Sequence, residues 1–215
     1  MIIRIAIPTF LWTATFIIFI AGFVFANQAT LLDQRYESSI VKLKERWIAN
    51  RSLRTKAEIW RVLEARAKTL SRSERGHVAD LVIRYSIANN HDPLLLLALI
   101  ETESNFRRDV VSKKGAVGLM QIRPFVAQGL ADELNMSPDE AVRLVNIDVN
   151  VKIGSYYLAK MVKRFGNLSL ALEAYNQGPT KLRDKLRKGA LLNKRYTRKV
   201  FRSRNKLKAI LRDTV

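Results

Sequence analysis

From Leu94 the chain reads Leu-Leu-Leu-Leu-Ala-Leu-Ile and then Glu101-Thr102-Glu103-Ser104, an apolar helix that ends in a carboxylate. Pro93 suits the first helical position, where a missing N–H costs nothing. Asn89-Asn90-His91-Asp92 before it reads as a turn. Glu103 lies one turn beyond Leu99 and Ile100 and two turns beyond Leu96, so it continues the apolar face, whereas Glu101 falls on another side. A carboxylate held against apolar groups is desolvated, which disfavours its charged form and raises its pKa. A general acid working near neutral pH requires that shift.

The rest of the chain supplies further helices and no alternating strand run or internal repeat, so the fold class is mainly α. Ser71-Arg72-Ser73-Glu74 provides cap-type residues ahead of a helix carrying Val78, Leu81, Val82 and Tyr85. Pro124 and Pro138 open or punctuate later segments. Ile153, Tyr156, Tyr157 and Met161, and then Leu168 to Tyr175, predict two more helices. From Leu31 to Leu70 there is neither Pro nor Gly. Apolar residues at Ile40, Leu43, Trp47, then Ile59, Val62, Leu63 and Ala67, recur at helical steps, interrupted near Asn50-Arg51-Ser52. That stretch predicts a helical connector; its heptads are not sustained as a coiled coil requires.

Ile5 to Ala26 is an apolar run without a charged residue. It approaches the roughly 20 residues that span a bilayer and exceeds the roughly 7–15 of a signal-peptide core. A transmembrane anchor or signal segment over 1–27 is expected, with Val24-Phe25-Ala26 offering small residues for cleavage. Arg4 precedes the run while Arg35, Lys42, Lys44 and Arg46 follow it. The positive-inside rule taken alone would therefore keep the domain in the cytoplasm; the site chemistry argues for the outside. The predicted organisation is 1–27 anchor, 28–72 connector, 73–200 catalytic domain and 201–215 basic tail.

Net charge is +19. Residues 181–215 hold fourteen Lys or Arg against Asp184 and Asp213. Such a field attracts polyanions: nucleic acid, anionic lipid or anionic wall polymers. Tyr196 and Phe201 are few aromatics for base stacking, and with an export segment no nucleic-acid partner is expected. There is no cysteine, and His77 and His91 match no paired-ligand spacing. No metal and no cofactor is expected.

Downstream of Glu103-Ser104 come Val111-Ser112, Gly115-Ala116-Val117-Gly118-Leu119-Met120-Gln121-Ile122, Asp148-Val149-Asn150, Ala174-Tyr175-Asn176-Gln177-Gly178-Pro179 and Tyr196-Thr197-Arg198-Lys199-Val200. In this order and spacing they resemble the catalytic domain of the soluble lytic transglycosylase (SLT) family, over about residues 79–200. The resemblance implies a lysozyme-like fold and peptidoglycan glycan strands as substrate. It implies Glu103 as the acid/base, with Ser104, Ser112, Gly118, Met120, Gln121, Tyr175, Asn176 and Tyr196 contacting substrate. Asn150 fits a motif that buttresses the cleft. Leu192-Asn193-Lys194-Arg195 stands where many relatives carry Glu-Thr-Arg, and Arg107-Arg108 follows Phe106 in place of Asn-Pro.

Glycosidases ordinarily pair two carboxylates, the exception being assistance by the sugar's own N-acetyl group. Glu101 falls on another side of the helix, and the nearest aspartates in sequence, Asp92 and Asp109, sit in no supporting motif. The resemblance therefore implies cleavage between N-acetylmuramic acid and N-acetylglucosamine with a 1,6-anhydro product, on the extracytoplasmic side of the membrane. A lysozyme-like hydrolase and a non-catalytic wall-binding protein remain as alternatives.

Overall fold

The computed structural model describes residues 41–42 and 54–212, and the predicted membrane segment and most of the predicted connector lie outside them. Arg54 opens a compact unit that continues to the C-terminus. Its helices are α1 (54–66), α2 (Arg72–Ala88), α3 (Pro93–Ser104), α4 (Pro124–Gln128), α5 (Pro138–Ala141), α6 (Ile147–Phe165), α7 (Leu168–Gln177), α8 (Pro179–Arg187) and α9 (Arg195–Arg212). A 3-10 turn, Asp132–Leu134, lies between α4 and α5. Among the described residues the only β-type pairing is two isolated bridges, Val111 with Val117 and Val117 with Ile122. The mainly helical expectation holds. Among the described residues no helix is long and apolar enough to cross a membrane.

The helix boundaries follow from their caps. Ser71 and Glu74 form a reciprocal capping box at α2. Asp92 caps α3 by accepting from the Leu94 amide, with Pro93 next. Asn146 and Asn167 cap α6 and α7 in the same way. Gly178, at φ 89°, ends α7 and begins α8.

α3 is the central element. Leu95 through Ile100 are all buried, so the helix has no solvated face over more than about one and a half turns, consistent with its unbroken apolar sequence. α1 contributes Ile59, Val62 and Leu63 to the same core, followed by Ala67 and Leu70. The predicted connector face at 59–67 therefore packs with the domain. α2, α6 and α7 complete the cluster, and Met161, Ala171, Ala174 and Leu182 form a smaller one under α8.

α9 runs along α3 and is fastened to it at both ends. Arg204 donates to Asp92 through Nε (2.7 Å) and through Nη2. At the other end Lys199 Nζ donates to the Thr102 carbonyl at 2.8 Å, placing a cation at the negative end of the α3 dipole. Glu101 is held by Arg66 of α1 at 2.7 Å and by the Ser203 hydroxyl of α9. The predicted tail from residue 201 is thus the second half of a helix whose Ser203 and Leu207 are buried.

Candidate active site

α3 ends abruptly. Asn105 and Phe106 take consecutive left-handed conformations, φ 53° and 61°, costly for non-glycine residues. Burial of the Phe106 ring and a 2.9 Å hydrogen bond from Thr69 Oγ1 to its carbonyl hold the reversal. Glu103 is thereby presented on the last turn. Arg107 and Arg108 are exposed, and Arg108 pairs with Glu74 at 3.1 Å.

Burial raises the Glu103 pKa, and a hydrogen bond from Tyr196 and the charge of Lys199 partly oppose the rise. The Tyr196 hydroxyl donates to Glu103 Oε1. Burial and the Glu103 charge push the Tyr196 phenol well above its ordinary range, so it remains a donor. The result is one mostly desolvated carboxyl on α3 with one fixed donor, Tyr196, and one nearby cation, Lys199, both supplied by the first turns of α9.

The start of α9 is positioned by a residue that sequence reading missed. Glu173 of α7 is only 3% exposed. It accepts from the Thr197 amide (3.0 Å) and the Thr197 hydroxyl (2.9 Å) through Oε1. The first amides of a helix have no partner within it, and a carboxylate there satisfies one and complements the dipole. The signal was a glutamate inside the otherwise apolar run Leu170–Tyr175.

Asp92 and Asp109 do not supply a second carboxylate. Asp92 caps the opposite end of α3, roughly 16 Å from Glu103 at 1.5 Å rise per residue; the pairs that cleave glycosides lie about 5–9.5 Å apart. Asp109 is exposed on the loop that follows. Among the described residues no group of three or more His, Cys, Asp or Glu could hold a metal ion.

The loop from 110 to 122 is organised by Asn150, which is 1% exposed. Its Oδ1 accepts from the Met120 amide at 2.7 Å, and its Nδ2 donates to the carbonyls of Val117 (2.9 Å) and Leu144 (2.8 Å). Gly118 has φ 82°, and a Cβ there would stand 2.3 Å from Asn150 Nδ2 and 2.4 Å from the Leu144 carbonyl. Its need for glycine comes from this packing. Tyr175 donates to the Met120 carbonyl at 2.8 Å, and its ring packs tilted against Tyr157, centroids 5.2 Å apart. Burial and then the Glu103 charge raise the Tyr175 phenol well above its ordinary range.

Several predicted contact residues are engaged within the protein. Ser104 is buried and donates to the Ile100 carbonyl, so its hydroxyl serves its own helix. Met120 is buried, and a Cβ on Gly154 would meet its sulfur at 2.5 Å; its peptide group, not its side chain, is what the loop arranges. Ser112 accepts from the Ala116 amide at 3.0 Å and closes the turn at Gly115. Gln121, at φ 51°, donates to the carbonyls of Val110 (3.0 Å) and Gly118 (2.9 Å). Asn176 is exposed. With Glu173, Gln177, Leu192, Asn193 and Tyr196 it lines a cavity of about 920 Å³ that several cations also border.

The family model described as Transglycosylase SLT domain matches residues 80–197. The soluble lytic murein transglycosylase of Salmonella typhimurium is 34% identical over 107 residues, 48% of this chain and 16% of that protein. The transglycosylase of Enterobacteria phage PRD1 is 32% identical over 89 residues, 41% of this chain and 30% of that protein. Among solved structures, an inactive mutant of the lytic transglycosylase Slt from Pseudomonas aeruginosa aligns with TM-score 0.49 and 25% identity over 69% of this chain and 24% of the other. The 70 kDa soluble lytic transglycosylase of Escherichia coli aligns with TM-score 0.48 and 25% identity over 73% and 28%. The chain spans about a sixth of the Salmonella relative's length.

Proposed function

The chain belongs to the transglycosylase SLT domain family, and from that premise we propose that it is a peptidoglycan lytic transglycosylase with Glu103 as its single acid/base. The observation that carries the reading is the environment of Glu103. Its carboxyl is desolvated with a raised pKa and is held by a phenol that remains protonated. That is the state in which a carboxylic acid can give up a proton near neutral pH.

Protonated Glu103 donates to the glycosidic oxygen between N-acetylmuramic acid and N-acetylglucosamine. As the C1–O bond breaks, the N-acetyl carbonyl oxygen of the muramic unit bonds to C1 and forms an oxazolinium ion. Glu103, now a carboxylate, takes the proton from the muramic C6 hydroxyl. That oxygen attacks C1 and expels the N-acetyl oxygen, giving the 1,6-anhydro end. No water is consumed and Glu103 returns to its protonated state. Exposed Asn176 is assigned to the N-acetyl group. Tyr175 acts through the Met120 carbonyl it holds, and Gln121 and Gly118 belong to the same loop. The rival without catalysis gives no account of a desolvated acid, and among the residues weighed neither Asp92 nor Asp109 offers the hydrolase its second carboxylate.

The run Ile5–Ala26 is assigned, on its length and apolarity, to a membrane segment, and the peptidoglycan substrate proposed for the site puts the catalytic unit on the extracytoplasmic side. The test is mass spectrometry of fragments released from purified peptidoglycan. Anhydro-ended products that vanish with Glu103→Gln support the assignment. Reducing ends would make the protein a hydrolase, and unchanged cleavage by Glu103→Gln would remove Glu103 from the chemistry.

A further inference from the structure

The cavity beside the acid carries charge of which only that of Lys199 bears on Glu103. Lys185, Arg195, Arg198, Lys199 and Arg202 border it, and Glu173 is its one acid. Glu173 is already committed to Thr197. Among the described residues none of the five cations makes an ion pair. Lys185 donates to Gln177 Oε1 at 2.6 Å, Arg198 to Asn193 Oδ1 at 3.1 Å and Lys199 to the Thr102 carbonyl at 2.8 Å, all neutral acceptors. Arg195, Arg198 and Arg202 are exposed and lie at three- and four-residue steps on one face of α9. Like charges at that spacing destabilise a helix, and a concave wall concentrates their field. An anionic occupant offsets both costs.

The shape narrows the occupant. A cavity of about 920 Å³ lies at the upper end of the roughly 300–1,000 Å³ range of organic-ligand sites, far beyond a single inorganic anion. Tyr196 belongs to its wall and donates to Glu103, which sets the cavity next to the acid. Resting on the function proposed above, we infer that this cavity is a subsite for the carboxylates of a peptide carried by the glycan, and that it selects anionic over neutral strands. Guanidinium groups suit that role, because their planar fork meets a carboxylate with two parallel hydrogen bonds.

The full chain should be assayed on peptidoglycan with free carboxylates and on the same material after carbodiimide amidation. The expected kcat/KM ratio favours the untreated substrate by about tenfold or more, mostly in KM, at roughly 1.4 kcal/mol per tenfold. The combined Arg195→Gln, Arg198→Gln, Arg202→Gln variant should bring the ratio towards one. Equal cleavage of both substrates by the wild-type chain, with the activity still dependent on Glu103, overturns the subsite and leaves the function intact. Polyphosphate binding that the triple variant loses, with no amidation effect, assigns the cavity to a phosphate polymer instead. Absence of Glu103-dependent cleavage on every glycan overturns both readings.

Discussion

Removing the Asn150 side chain tests how the loop from 110 to 122 is held. One carboxamide satisfies three main-chain groups that α6 could not otherwise reach: Met120 N–H, Val117 C=O and Leu144 C=O. A hydrogen bond contributes about 1 kcal/mol net, and a buried group left without a partner costs about 1–3 kcal/mol. Asn150→Ala loses three bonds and strands at least the Met120 amide, so the expected loss is roughly 3–5 kcal/mol. Against a total stability of about 5–15 kcal/mol, the variant should fold at 25 °C and melt about 10 °C lower, at 2–4 °C per kcal/mol for a unit of this size. Urea unfolding followed by far-UV circular dichroism gives the free energy directly. Activity should fall further than stability accounts for, because the Met120 peptide group that Tyr175 also holds is set free. A loss below about 1 kcal/mol with an unchanged m-value would refute the reasoning, since it would mean that water or a shifted loop satisfies all three groups at no cost.

Tyr196→Phe removes the hydrogen bond that lowers the Glu103 pKa, so the basic limb of the pH–rate profile should move to higher pH while kcat falls; a profile that stays in place would show that the phenol does not stabilise the carboxylate. The Glu103 pKa is raised on folding, so its contribution to stability is full below the unfolded value and is lost as pH rises through the folded one. Glu103→Gln should therefore gain in Tm relative to wild type as pH rises above the ordinary carboxylate range, and a gap constant with pH would contradict burial as the cause. Glu173→Ala should cost about 2–3 kcal/mol through the Thr197 amide and hydroxyl it strands, with Glu173→Gln recovering most of it in the same urea titration.

Local chemistry was legible without coordinates. Asp92, Pro93 and the apolar run after them specify where α3 starts and that it is buried, because caps and hydrophobic burial act within a few residues. The same pattern marked Glu103 as a carboxylate facing apolar groups, and the ordered motifs that follow marked the family. Position in the chain could not tell a residue that meets substrate from one that holds a residue that does. Ser104 serves its own helix, Met120 fills the space beside Gly154, and Gly118 is glycine because Asn150 lies against it. Each depends on a partner brought in by packing of separate helices. The pairing of Tyr196 with Glu103, across ninety-three residues, and the support of α9 by Glu173 were likewise settled by how α7 and α9 dock on α3. Sequence determined that a desolvated acid would exist; tertiary structure decided which donor and which cation act on it and which cations surround the cavity beside it, because electrostatics depends on distance through space and not along the chain.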